Sequence, residues 1–424
     1  LAFSNFHIST LSRITSIDFL RGLVMIIMAL DHVRDYTHLE SIAWADPTDL
    51  ATTTPLFFFT RFITHFCAPV FVFLSGTSIY LSAQKRGWIG GQRLFLFKRG
   101  LFLVAAECTV VTFGWTFDIF FSVIILQVIW AIGIAMMAMS VLTRFSSKTN
   151  LILGIGIILF HNLLDGVTPN GITLDGVSHT FGAALAYVWS AIHVSTSIQL
   201  SATHSIFLGY PVLPWIGVML AGYGIAPYIS DNKFLRNVGL ALILVFAVVR
   251  FSNFYGDPSA WVYASSAQSP QWLFTVMSFV NCTKYPPSLL YICMTLGPAL
   301  VLMSAFRQNE LRYNELHQNE LRQNARPSKW FAAVSVFGRV PMFYYLLHIY
   351  LAHIVGALLI MLQGFTLHDF MYSGTQSGFP ANSGYPLWVT YAAWIFVVTA
   401  LYPLCVRYDK FKILRKGAWW SRYV

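Results

Sequence analysis

The sequence predicts an all-α fold: a polytopic integral membrane bundle of about ten transmembrane helices with both termini cytoplasmic. Three observations carry that expectation. Of 424 residues, 56% are hydrophobic and only 10% charged, where a soluble domain carries roughly a quarter charged residues. The mean hydropathy is +0.62. The apolar residues fall into runs of spanning length, and no alternating pattern of the barrel kind appears among them.

A hydrocarbon core about 30 Å thick takes ~20 residues of helix to cross. That ruler places spans at 17–36, 56–83, 100–115, 119–142, 151–164, 206–229, 237–254, 287–306, 340–362 and 387–406. Helix is the expected form because each unpaired backbone group in lipid costs several kcal/mol. Orientation follows from Lys and Arg, which are retained on the cytoplasmic side. One set of alternate loops holds Lys85, Arg86, Arg93, Lys98 and Arg99, then Arg144 and Lys148, then Lys233 and Arg236. The same set continues with Arg307, Arg312, Arg322, Arg326 and Lys329 and closes with the tail 407–422; the opposite set holds almost only Arg34 and Lys284.

Residues 1–424 read as a single transmembrane domain, with 307–329 a charged cytoplasmic loop inside it. In that loop NELRY, NELHQ and NELRQ repeat over 309–323. A five-residue step turns a helix by about 140° net, so the charges wrap round it and suit a solvated linker without catalytic role. The outer loops 39–55, 165–205, 255–286 and 363–386 are rich in aromatics, Ser, Thr, Gly and Pro, as a lid or sugar-binding rim would be. Aromatics at 16% suit rings held at two membrane interfaces. The net charge of +10 lies in short clusters between apolar runs, so it reads as topology and implies no nucleic acid. Cys67, Cys108, Cys282, Cys293 and Cys405 show no paired spacing and read as small apolar fillers. Residues 1–12 lack the pattern of a cleavable signal peptide.

A charge inside a bilayer costs from about 2.5 kcal/mol upward, so ionisable residues in spans face water or one another. The first span ends in Asp31, His32, Arg34 and Asp35, the second holds Arg61 and His65, and the third holds Glu107. Arg250 ends the seventh, and the ninth holds His348 and His353. Most belong at mid-depth or in the outer half, where they would line one outward-open cavity. Arg61 and His65 share a helix face, as do Asp31 and Asp35. A histidine beside a carboxylate is held in one tautomer as a general base requires, which makes His32 the leading catalytic candidate. The structural reading beside it is an Asp31–Arg34 pair at a helix end, with His32 an interfacial anchor. Pro69 frees the His65 carbonyl one turn back, and a kink there would widen a cavity beside that imidazole. A neighbour-bonded histidine is the equal alternative for His65 and for His348. His353 is expected at the outer interface, and Glu107 in a structural pair with an arginine. His161, His179, His193, His204 and His368 are expected to be solvated. No HExxH or Walker motif is present, and no metal or haem is expected.

RITSIDFLRGLVMIIMALDHVRDY at 13–36 and FITHFCAPVFVFLSGTSIYL at 62–81 resemble the heparan-α-glucosaminide N-acetyltransferase-like family of bacterial membrane proteins. So do LQVIWAIG at 126–133, YPVLPWIGVMLAGYGIAP at 210–227, NFYGDP at 253–258, KYPPSLLYICMTLGPAL at 284–300 and FGRVPMFYYLLHIYLAH at 337–353. The resemblance implies a multi-pass acetyltransferase of the bacterial inner membrane. Acetyl-CoA, or another acyl-CoA, is the implied cytoplasmic donor, and an amine or hydroxyl of an extracytoplasmic glycan the acceptor. Membrane lipids and a possible homodimer complete the expected partners. Lysosomal relatives carry their active histidine in a HASW-like context between the first two spans. Residues 39–55 lack it, and the nearest histidine is His38. The DH pair at Asp31 and His32 recurs in bacterial members, so the assignment moves there. His32 would take the acceptor's proton, Asp31 orient it, and Arg34 or His65 stabilise the oxyanion, with His348 a further candidate. Arg93, Lys98, Arg99 and Arg339 are candidates for the CoA phosphates or, alternatively, plain topology signals. Arg250, Asp257, Lys284 and Tyr285 are the expected substrate-binding residues. The competing reading is a transporter or flippase for a glycan-lipid or small organic anion, using the same charges as a relay; a scaffold explains the cluster least.

Overall fold

The computed structural model describes residues 15–43, 45–86, 91–167, 172–174, 177–179, 182–318, 328–371, 378–380 and 382–415. The readings of 1–12, of Arg322, Arg326 and the end of the repeat, and of the side chains of Arg86, His179 and Arg312, fall outside that description.

The chain begins with α1 (Thr15–Thr37) and the short α2 (Leu39–Ile42). It continues through α3 (Pro55–Thr64), α4 (Cys67–Arg86), α5 (Gly91–Ala106), a π-helical turn (Glu107–Val111) and α6 (Thr112–Thr116). Then come β1 (Val123–Leu126), α7 (Val128–Leu142), α8 (Ser147–Phe160) with a 3-10 turn (His161–Leu164), β2 (Ile172–Leu174) and β3 (Val177–His179). Next are α9 (Ala183–His193), β4 (Thr196–Gln199), β5 (Ser205–Leu208), α10 (Val212–Ile225), α11 (Asn232–Ser252) and α12 (Gln271–Val280). The last group is α13 (Leu289–Gln318), α14 (Lys329–Arg339), α15 (Pro341–Met361), α16 (Leu367–Met371) and α17 (Leu387–Leu414).

Local chemistry starts several of these helices. Thr54 accepts from the Phe57 amide with Pro55 just inside α3, and Ser146 and Asp231 cap α8 and α11 the same way. Helix α1 lies at the centre, packed against α4, α13, α14, α15 and α17. Gly22 and Gly338 allow the contact with α14: a Cβ on either would meet backbone carbonyl oxygen of the other helix at 2.0 Å and 1.8 Å. At the periphery, α8 and α11 expose Ile152, Leu153, Leu244 and Val248, as lipid-facing helices do.

Among the described residues six helical stretches are long and apolar enough to cross a bilayer: Pro55–Lys85, Ser147–Leu164, Asn232–Ser252, Leu289–Gln308, Pro341–Met361 and Leu387–Leu414. The remaining expected spans differ from the simple ruler. Helix α1 has the length, but it carries Asp18, Arg21, Asp31, Arg34 and Asp35 and is mostly enclosed by protein, so lipid does not meet its charges. The expected span 100–115 extends back to Gly91 and passes through the π-helical turn. The expected spans 119–142 and 206–229 each begin as a strand rather than helix, β1 and β5. Left-handed backbone at Phe117 and Phe121 breaks the helix ahead of β1. β1 pairs with β5 in parallel and β5 with β4 antiparallel. This pairing satisfies the extended backbone inside protein, where non-helical structure in a membrane protein is tolerated.

Candidate active site

Two cavities meet along α1. The first, about 530 Å³, is lined by Met25, Phe71, Leu96, Ile129 and Met136, with Arg21, Arg99, Arg339 and Lys412 among its polar groups. The second, about 470 Å³, is lined by Asp31, His32, Arg61, Trp115, Lys284 and Tyr285. Met28 and Val128 line both, so the cavities adjoin at these two side chains. His32 sits one helical turn beyond Met28, on the polar side.

His32 Nδ1 lies 2.7 Å from His348 Nε2, with the two rings nearly parallel, 11° apart, and their centroids 4.9 Å apart. His348 Nδ1 is 2.9 Å from the Tyr344 carbonyl oxygen, which only accepts. The His348 proton therefore sits on Nδ1, Nε2 accepts from His32 Nδ1–H, and the His32 Nε2 lone pair is left over as an acceptor. Trp115 meets the His32 ring edge-on at 4.7 Å between centroids. Tyr36 holds that tryptophan's backbone, donating its hydroxyl to the Trp115 carbonyl at 2.8 Å.

Asp31 has a different task from the one expected. Its carboxylate is clasped by Arg34 at 2.8 Å and by Arg61, and the hydrogen bond that orients His32 comes from His348 instead. Arg34 also bonds Asp35 at 2.7 Å. Arg61 reaches the Tyr285 hydroxyl at 3.3 Å, and Lys284 faces the Tyr285 ring at 5.1 Å. The cavity beside His32 thus gathers Arg34, Arg61 and Lys284 with the carboxylates of Asp31, Asp35 and Asp46, and Arg61 and Lys284, both at Tyr285, are the donors placed to meet a developing oxyanion.

His65 does not line this cavity. The helix breaks between α3 and α4, and the carbonyl that Pro69 cannot engage accepts from the Tyr291 hydroxyl at 2.7 Å. The imidazole packs beside Tyr291 and Phe62, away from His32. Arg250 and Asp257 are likewise not cavity residues. Arg250, 2% exposed, donates to the carbonyls of Ser259, Ser278, Phe279 and Asn281. Asp257 accepts from Ser259, Thr283 and Ser288. These hydrogen bonds pair backbone groups within 253–288, so both residues hold the fold of that segment. Of the four cations expected to meet phosphate, Arg99 and Arg339 line the larger cavity, whereas Arg93 and Lys98 do not. Arg339 is itself held by Asp409 at 2.7 Å.

Glu107 has no arginine among its described partners: one oxygen accepts from the Gln127 amide at 2.7 Å, pinning the joint between β1 and α7. His353 is buried between Tyr36 and Phe117, with Nδ1 against the Gly114 carbonyl. His38 bonds the Tyr385 carbonyl, and burial lowers its imidazole below the ordinary range. Sequence reasoning passed over Arg21, Gln127, Trp115 and Lys412, all of which line the two cavities. Arg21 carried a usable signal, being an arginine inside an apolar run; Lys412 carried none, because it reads as one of many tail cations.

Residues 13–267, more than half of the chain, match the family model described as heparan-alpha-glucosaminide N-acetyltransferase, catalytic. Comparison with curated proteins finds no match. The matched range holds the His32 cavity's main walls and all but Arg339, Pro341, Met342, Tyr345 and Lys412 of the larger one. With a membrane-crossing set of apolar helices and this match over α1 to the 253–267 loop, the chain belongs to the heparan-alpha-glucosaminide N-acetyltransferase catalytic family and is a multi-pass integral membrane protein of acetyltransferase class.

Proposed function

We propose that this protein passes an acetyl group from acetyl-CoA on the cytoplasmic side to an amine or hydroxyl of a glycan on the other side, in a bacterial inner membrane. The observation that carries the reading is the adjoining pair of cavities, which share Met28 and Val128 in their walls, with His32 lining the second one helical turn from Met28. The larger cavity suits the donor: Arg21, Arg99, Arg339 and Lys412 match phosphate groups, and its Met, Phe, Leu and Ile walls match an apolar thioester arm. Arg99 and Lys412 belong to the clusters that the positive-inside rule assigns to the cytoplasm, and Arg21 and Arg339 line the same cavity.

In this reading His32 Nε2 takes the proton from the acceptor nitrogen or oxygen as that atom bonds to the thioester carbonyl carbon. Lys284 and Arg61 face the oxygen on which negative charge develops. The carbon–sulfur bond then breaks, and His32 returns the proton to the departing thiolate. His348 keeps the His32 lone pair aimed at the acceptor, and Asp31 holds Arg34 and Arg61 in place. In this reading transfer is direct, with no acyl group resting on His32.

The test uses the purified full chain in lipid nanodiscs with labelled acetyl-CoA and a glucosamine-terminated acceptor. Acceptor-dependent release of CoA that falls at least a hundredfold in His32→Ala supports the proposal. Undiminished release in that variant, or solute flux in vesicles with no dependence on acetyl-CoA, removes it in favour of another base or of a transporter.

A further inference from the structure

The described residues contain one group able to hold a metal ion, His161, Asp165 and His193, whose ligand atoms all lie within 4.8 Å of one another. All three stand where the sequence suggests solvated loop residues. His161 and His193 are instead buried, at 2% and 1% exposure. Both ring nitrogens of His161 and Nδ1 of His193 are enclosed without a hydrogen-bond partner. Imidazoles this deep ordinarily have both nitrogens engaged, so His161, with neither engaged and one of them within 4.8 Å of the His193 and Asp165 ligand atoms, calls for something that binds it.

The arrangement around Asp165 points the same way. Its Oδ2 accepts from Asn162 Nδ2 at 2.8 Å, which fixes the carboxylate and turns Oδ1 to His193 Nε2 at 3.1 Å. Metal carboxylates are commonly steadied by such an outer bond. The His161 and His193 rings meet edge to face at 5.6 Å between centroids. Donors around a four-coordinate ion stand about 3.4 Å apart, so small ring movements close the set.

We propose that His161, Asp165 and His193 bind one divalent first-row transition-metal ion, with Zn²⁺ the representative. Two imidazole nitrogens and one carboxylate oxygen suit such ions and do not suit Mg²⁺ or Ca²⁺, which take all-oxygen shells. The ion replaces the proton between His193 Nε2 and Asp165 Oδ1, and binding releases that proton to solvent. None of the three residues lines either cavity, so the ion is structural. It fastens the end of α8 to the end of α9, which runs directly into β4 and its partner β5. Phe207 of β5 lines the His32 cavity opposite Ile125 of β1, so the ion braces one wall of that cavity from behind.

The test takes the full chain without a polyhistidine tag, strips it with a chelator, and titrates Zn²⁺ against a chromophoric competitor. One ion per chain is expected, with affinity falling about tenfold or more in His161→Ala and in Asp165→Asn, and unchanged in His204→Ala on the exposed turn between β4 and β5. Co²⁺ loaded into the wild-type chain should give the visible absorption of a low-symmetry N,O site and quench Trp189, whose ring lies 5.4 Å from that of His193. The wild-type spectrum stands even if a variant does not fold. Absence of stoichiometric binding in the wild type overturns the proposal, as does unaltered affinity in folded His161→Ala and Asp165→Asn.

Discussion

His32 and His348 touch through a 2.7 Å hydrogen bond although 316 residues separate them in the chain. The bond joins the central helix α1 to α15 and leaves His32 with a defined tautomer. His348 is wholly buried, so its part is to position His32 rather than to meet substrate.

That division of labour predicts two different losses. His32→Ala should abolish nearly all transfer. His348→Ala should lower kcat by roughly tenfold to a hundredfold with little change in KM for acetyl-CoA, and His348→Gln, which can still accept from His32 Nδ1, should recover part of it. Steady-state kinetics of the three variants read this directly. Equal loss in the Gln and Ala variants would count against a positioning role.

The wall that the two cavities share at Met28 and Val128 predicts a variant that binds donor without transferring. Val128→Trp enlarges a side chain common to both cavities and should block passage of a thioester arm, while the arginines of the larger cavity still hold CoA. Calorimetry should show CoA binding within a few-fold of wild type, and turnover should drop below a tenth.

Arg250, itself buried, donates to four backbone carbonyls, that of Ser278 buried and those of Ser259, Phe279 and Asn281 partly so. Replacing it by Met strands those oxygens and should destabilise the protein by about 3 kcal/mol or more. Thermal unfolding in detergent should show a lowered midpoint. Because Arg250 lines neither cavity, the folded fraction should keep its KM for donor.

Asp118 offers a pH-dependent contribution at the turn before β1. Burial raises its pKa, but the Phe120 and Ser122 amides outweigh burial and hold the carboxyl below its ordinary value. With the folded value depressed, the stabilisation is fully present above the unfolded pKa of about 3.9 and disappears as pH falls through the folded value. Asp118→Asn should therefore be less stable than wild type at neutral pH, and the difference should vanish as pH falls below the folded value. Unfolding midpoints measured across that range check the sign.

Much of the bundle was legible because lipid imposes a simple rule. The apolar runs at 340–362 and 387–406 became α15 and the first part of α17, almost residue for residue. The kink written by Pro69 appeared as the break at His65, although the sequence had no means of naming Tyr291 as the residue that takes the freed carbonyl. The runs 119–142 and 206–229 misled, since hydrophobicity alone does not separate a helix from a strand buried in protein. Polar residues were harder to sort. Lys284, Tyr285, Asp31, Arg34 and His32 converge on one cavity, while Arg250, Asp257 and His65, equally costly in lipid, serve buried backbone or pack against neighbours.

By itself the sequence determined that this chain lives in a membrane, that its charges must be sheltered, and that α1 carries the densest set of them. Only the tertiary structure decided which charges share a cavity, that His348 rather than Asp31 orients His32, and that His161 and His193 are buried together. The reason is physical. Hydrophobic length and charge are local properties written along the chain, whereas the partner of a buried polar group is whatever a distant helix brings within hydrogen-bonding distance.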